Sequence, residues 1–271
     1  MTSPKKTRRT VAPRVRRFRV PEPARDVAEV LARLDAVVED ARAVGSRLGF
    51  FAALYRNVTR RVAQGIADGD FDDGPRMARL DADFANRYLA ALAARLRGRP
   101  TPSAWRVAFD AADGADAVVL QHLLLGMNAH INVDLGAATA TVSAGARLDD
   151  VRGDFDRINK LLADLTDGVE DRLDELSPGI SELDALAGDG DERLAVFSIG
   201  VARDDAWRLA QTLDAAPAFL RESIARLADE KAAMLGRLVA HPPGAARTAI
   251  AAVLAAERAD VRAVIDVLAR G

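Results

Sequence analysis

The sequence predicts an all-α protein, an irregular bundle of about eight or nine helices around one central apolar helix. Three observations carry this. Apolar residues recur three and four positions apart from Val27 nearly to the end of the chain. No alternating strand pattern with hairpin turns interrupts them, and no fixed-period repeat is present. The breaks between apolar segments are Gly, Pro and Asp clusters spaced by helix lengths.

The elements follow in order. Val27, Val30, Leu31, Leu34, Val37 and Val38 define a first amphipathic helix. After Gly45 and Gly49 a second runs from Phe50 to about Ile66. The segment from Asp68 to Gly74 is a loop rich in Asp and Gly, and Pro75 suits the first position of a third helix that reaches Leu96. A short segment around Trp105 to Phe109 leads to the central helix, from about Ala115 to Ala138. Beyond Gly145 a helix carries Val151, Phe155, Ile158, Leu161, Leu162 and Leu165, and extends toward Leu176. After Gly188 and Gly190 three helices are expected, roughly Glu192 to Asp214, Pro217 to Val239 and Ala245 to Arg270.

The 271 residues are 49% hydrophobic and suffice for one large core. No run approaches the ~18 consecutive apolar residues of a membrane span. No apolar region follows the basic N-terminal residues, so a secretory signal is not expected. The absence of cysteine removes disulfides, thiolate catalysis and Cys-based metal sites, and fits a cytoplasmic protein. The net charge of −2 hides an asymmetry: residues 1–20 hold eight basic side chains and no acid, leaving 30 basic against 40 acidic residues in the rest. Residues 1–22 are therefore expected to be a disordered basic tail, and 23–271 a single acidic helical domain that is not a nucleic-acid binder. The oligomeric state is not legible.

The most informative stretch is Leu120 to Leu135, which places His122, Asn128, His130, Asn132 and Asp134 in a run of large apolar residues. Buried polar groups need partners, so this helix carries either chemistry or a structural network. At about 100° per residue, with His122 at zero, His130 falls near 80° and Asp134 near 120°, while Asn128 and Asn132 fall near 240° and 280°. His130 and Asp134 are one turn apart and can meet each other or one ion. His122 lies about 12 Å along the axis from His130 and belongs to a separate position. Asp81 falls mid-stripe among Met77, Phe84, Tyr88 and Leu92. Asp154 borders the face of Val151, Ile158 and Leu162, and Asn159, about 140° round the helix from it, can reach a neighbour.

Asp81, His130, Asp134 and Asp154 are thus four inward groups with metal-ligand chemistry, suited to Zn, Mn or Fe. In the first reading they form a metal-dependent hydrolase acting on a small-molecule substrate. His130 and Asp134 hold the ion, Asp81 and Asp154 complete the site or act as general base, and His122, Asn128, Asn132 and Asn159 orient ligands or substrate. In the second reading the same residues are a structural polar network in a non-catalytic ligand- or partner-binding protein. The acidic loop at Asp68 to Asp73 lacks EF-hand spacing, and Trp105 and Trp207 read as core.

The segments Phe50 to Thr59, Arg79 to Tyr88, Trp105 to Phe109, Leu123 to Leu135 and Asp154 to Asn159 resemble an uncharacterised bacterial family, common in actinobacteria, with an Asn-Ala-His-Ile-Asn-x-Asp-Leu box. The resemblance covers about residues 25–215 and carries no activity with it. Leu125-Gly126-x-x-x-His130-x-x-x-Asp134-Leu135 is also similar to a helix motif of the zinc-dependent phospholipase C and P1 nuclease superfamily. That likeness implies zinc ligation by His130 and Asp134. The further histidine of that motif is missing, and three histidines cannot build a three-zinc site.

Overall fold

The computed structural model describes residues 18–144, 147–158, 175–176, 199–257 and 260–270. They form α1 (Val27–Val44), α2 (Leu48–Asp68), α3 (Gly74–Leu96), α4 (Ser103–Asp113), α5 (Val119–Ala129), a π-helical turn (His130–Leu135) and α6 (Gly136–Val142). A helical stretch over 149–158 follows, then α7 (Ile199–Ala215), α8 (Ala218–Ala240), α9 (Gly244–Ala256) and α10 (Val261–Leu268). The described residues contain no strand, and the protein is all-α. None of the described helices is long and apolar enough to cross a membrane.

Side chains set the helix ends. The carboxylate of Asp26 accepts the Glu29 N–H at 2.8 Å, and Gly45 closes α1 with φ +69°, a conformation glycine adopts without strain. Asp73 caps α3 through the Arg76 N–H at 2.8 Å, with Pro75 in the first turn.

Two boundaries differ from expectation. The central helix starts at Val119 rather than near Ala115, because Gln121 takes the Val118 N–H at 3.1 Å and the Glu257 carboxylate takes the Val119 N–H. The single helix expected over Ala245 to Arg270 is two helices. Asp260 caps α10 through the Arg262 N–H at 3.0 Å, so a new helix begins where the pattern alone would have continued the old one.

The run α5–π turn–α6 is the axis of the fold and packs against α2, α3, α4, α7 and α8. The largest cluster of buried side chains gathers around it and includes Phe50, Tyr88, Leu92, Trp105, Leu123 and Leu125. Asn128 ties α5 to α8 by donating to the Ala232 carbonyl at 2.8 Å, and Asn132 donates to Asn128 at 3.0 Å. A second cluster joins Ile131 and Leu135 to Phe155, Ala206 and Trp207. Phe18 packs on the main core, and Arg19 bonds Asp40 through both its backbone N–H and its Nε at 2.8 Å, so the end of the basic segment is anchored to α1.

Gly126 fixes the closest approach. A Cβ at this position would stand 2.4 Å from the Phe51 ring, so α2 can seat that ring against α5 only where the side chain is hydrogen. Gly126→Ala should therefore lower stability by about 1–3 kcal/mol through forced repacking. Chemical denaturation would measure this, and an unchanged midpoint would show that the Phe51 contact is looser than described.

Candidate functional site

The site is built on the π turn. A π turn inserts a residue into the helical ladder, and such turns concentrate at functional positions. Here it carries His130 and Asp134, and their side chains meet: His130 Nδ1 lies 3.0 Å from Asp134 Oδ2. The Trp105 indole N–H donates to the same Asp134 oxygen at 2.9 Å. A carboxylate accepting an indole N–H is an acceptor toward His130 as well. Nδ1 therefore carries the imidazole proton, and Nε2 is left as a lone-pair acceptor. Nε2 is buried and bonds to nothing among the described residues.

Aromatic rings enclose the imidazole. Phe84 stacks on it at 3.5 Å between centroids, and Tyr55 meets it edge-on at 4.5 Å. Phe51, Tyr88 and Trp105 complete the surround at 5.7–6.1 Å. Burial pushes the imidazole pKa below its ordinary value, against the opposing pull of the Asp134 hydrogen bond and charge. His130 is accordingly neutral at pH 7.

One edge of this aromatic cluster opens on a cavity of about 120 Å³. Its walls come from α2, α3, the end of α5, the π turn, the 149–158 helix and α7, and are almost entirely apolar: Leu54, Val58, Met77, Leu80, Met127 and Ile131 among them. His130, Asp81, Tyr55 and Arg203 are the polar residues on its lining. Asp81 is buried, and its Oδ2 has no partner among the described residues. Burial pushes its carboxyl up to about 7. Burial also raises the Tyr55 phenol, with the Asp81 charge adding to the effect. Arg87, on the same helix as Asp81, instead bonds Asp83 at 2.9 Å and Thr141 at 3.1 Å.

The other expected site residues lie elsewhere. Asp154 is not part of the cavity group. Its carboxylate accepts the Asp72 and Asp73 backbone N–H groups at 2.7 and 3.1 Å, Arg76 at 3.0 Å and Arg157 at 2.7 Å. Burial opposes its ionisation, but those bonds win and hold its pKa below the usual range. Asp154 is a clamp on the loop before α3, with no lone pair left for an ion or a proton. His122 lines a separate small pocket beside Phe109 and Arg47, edge-on to Phe50 at 5.5 Å. Burial, with Arg47 nearby, pushes its imidazole down to about 4. Asn128 bonds the α8 backbone and Asn132 bonds Asn128, so both are used in packing. Asn159 lies outside the described residues.

The expected metal set does not assemble among the described residues, where no group of three His, Asp or Glu side chains could hold an ion. Asp134 Oδ2 is committed to Trp105 and His130, and Asp154 to two arginines and two backbone N–H groups. This donor set does not fit a divalent cation, which requires several converging oxygen or nitrogen ligands.

Tyr55, Phe84, Trp105 and Arg203 were not among the expected site residues. A signal existed for two. An indole buried on an apolar helix needs an acceptor, and Asp134 was the free carboxylate of the box. Arg203 shares its helical face with Ala206, Trp207, Ala210 and Leu213, an apolar stripe in which a guanidinium is out of place.

Fold and site together define an all-α protein with a buried Asp–His pair at the edge of an apolar cavity. The chain belongs to a family of unknown function, DUF5995, whose model matches residues 27–242. That range takes in every residue of the site. Comparisons with curated proteins and with solved structures give no match.

The buried carboxyl has a consequence for stability. A folded-state pKa raised to about 7 means that the unfolded chain gives up the Asp81 proton first, so this group removes stability as pH rises from about 4 to about 7. The lowered imidazoles of His122 and His130 act oppositely, removing stability as pH falls below about 6.5. The difference between wild type and Asp81→Asn isolates the first effect. The variant should gain stability relative to wild type between pH 5 and 8, in denaturation curves taken across that range. A pH-independent difference would refute the raised carboxyl.

Proposed function

We propose that the chain binds a small, largely apolar molecule in the cavity bounded by α2, α3, the π turn and α7, with His130 and Asp81 supplying polar contacts. The observation that carries this reading is an apolar cavity of about 120 Å³ with four lining residues, Tyr55, Asp81, His130 and Arg203, that each keep a buried polar atom without a partner among the described residues. Leaving a buried polar group unbonded costs about 1–3 kcal/mol, a cost that a bound molecule's own donor or acceptor removes. The volume is near that of an engineered apolar cavity, roughly 150 Å³, that admits benzene.

A second reading, proton transfer to a bound substrate, is favoured by the Asp134–His130 pair. Nδ1 is fixed on the carboxylate and Nε2 is free, the arrangement in which an imidazole acts as a general base. The metal-dependent hydrolase has less support, for the reasons of donor geometry given above.

Toluene and benzyl alcohol should raise the melting temperature in proportion to the logarithm of their concentration. Val58→Phe, which fills the cavity from α2, should remove the shift while leaving the helical circular-dichroism signal intact. No shift with any probe of this size would sink the binding reading. Elemental analysis after incubation with Zn, Mn or Fe should give well under one ion per chain. Near-stoichiometric metal that disappears in His130→Ala and Asp134→Ala would instead restore the hydrolase.

A further inference from the structure

Arg203 is a buried cation on the cavity lining. It is 3% exposed, lines the cavity, and forms no ion pair with any described carboxylate. Among the described residues its hydrogen bond is from one terminal nitrogen to the Phe155 carbonyl at 2.6 Å, and its Nε is buried without a partner there. The guanidinium lies over the Phe155 ring at 4.5 Å. The acids that act on it from a distance, Asp156 and Asp204, do not neutralise it. Asp156 is already held by Arg152 at 2.7 Å, and Arg152 itself opposes the Arg203 charge. A guanidinium has five donors in a planar fork, and this one uses few of them. An isolated buried cation costs several kcal/mol unless a counter-charge is supplied.

We propose that Arg203 is the anchor for the carboxylate of the bound molecule, so that the cavity selects small monocarboxylic acids with an aromatic or branched aliphatic body. This rests on the cavity being a binding site. It adds the chemical class: the apolar walls take the body, and the acid group pairs with the Arg203 fork, which matches a planar carboxylate. The second polar end, His130 Nε2, accepts from a hydroxyl or amine where the molecule carries one.

The full-length chain would be titrated calorimetrically with benzoate and benzyl alcohol, and with 4-methylpentanoate and 4-methylpentanol. Within each pair the body is shared and the carboxylate is replaced by an uncharged hydroxymethyl group. The wild type should bind each acid at least about tenfold more tightly than its alcohol, the worth of one charge-assisted hydrogen bond. In Arg203→Gln that preference should collapse to near one while alcohol binding remains, which also shows that the cavity has survived the substitution. Arg203→Lys should keep part of the preference, because the charge stays and the fork is lost. Should Arg203→Gln fail to fold, the acid-to-alcohol ratios of the wild type and Arg203→Lys still decide the matter. Alcohols binding as well as acids in the wild type, or an acid preference intact in Arg203→Gln, would overturn the assignment and leave the cavity reading standing. No binding of any of the four probes would remove both.

Discussion

The fold depends on giving the buried Asp134 side chain its hydrogen-bond partners in a dry interior. Asp134 has one neighbour that must donate, the Trp105 indole, and one that can, the His130 imidazole. Removing either partner would leave a buried polar group short of a bond, at a cost of about 1–3 kcal/mol. The arrangement dictates what surrounds it. Trp105 must come from α4 at one height along the axis, which aligns α4 with the π turn. The imidazole must stay neutral with its Nδ1 proton on Asp134, which the aromatic rings of Phe51, Tyr55, Phe84 and Tyr88 secure by excluding water. Gly126, one turn earlier, lets Phe51 close that ring of side chains. Asp134, Trp105 and Gly126 thus form one constraint seen at three places in the chain.

Asp154 and Asp81 show how the same residue type divides between structure and site. Both are buried acids on helices beside the core. Asp154 is saturated: two backbone N–H groups and two arginines leave it ionised and inert, and its work is to hold the loop between α2 and α3. Asp81 has no such company, and burial keeps its proton on to near neutrality. The unsatisfied acid lies on the cavity and the satisfied one does not. That contrast locates the site more securely than residue type does, because an unpaired polar group in an interior is retained only where it serves a ligand or has no alternative packing.

Much of this was legible in the sequence. Helical spacing placed α1, α2, α3 and α8 within a few residues, because each has an apolar stripe ended by Gly, Pro or Asp. The box from Leu120 to Leu135 announced itself through polar residues in an apolar run, and four-residue spacing brought His130 to Asp134. The rest escaped for physical reasons. A helical wheel assumes 100° per residue and cannot register a π turn. Inwardness alone does not tell a saturated Asp154 from an unsaturated Asp81, since three of the four donors that decide it, the Asp72 and Asp73 N–H groups and Arg76, come from another segment of the chain. The split between α9 and α10 turns on one capping side chain, Asp260, inside a continuous apolar pattern. The partner of Asp134 lies 29 residues away on another helix, and only the assembled fold brings the indole to it.

The polar residues on the cavity also have a collective logic. At pH 7 His130 is neutral, Tyr55 is un-ionised, Asp81 is near the midpoint of its titration and Arg203 is charged. With Asp81 protonated the group carries a net positive charge inside apolar walls, where a charge is poorly screened and strongly selective. Ionised Asp81 would cancel that charge and compete with any anion for it. The raised carboxyl is therefore part of what makes the pocket receptive to an acid: a strong carboxylate at this position, held low by a partner of its own as Asp154 is, would close the site electrostatically without altering its shape.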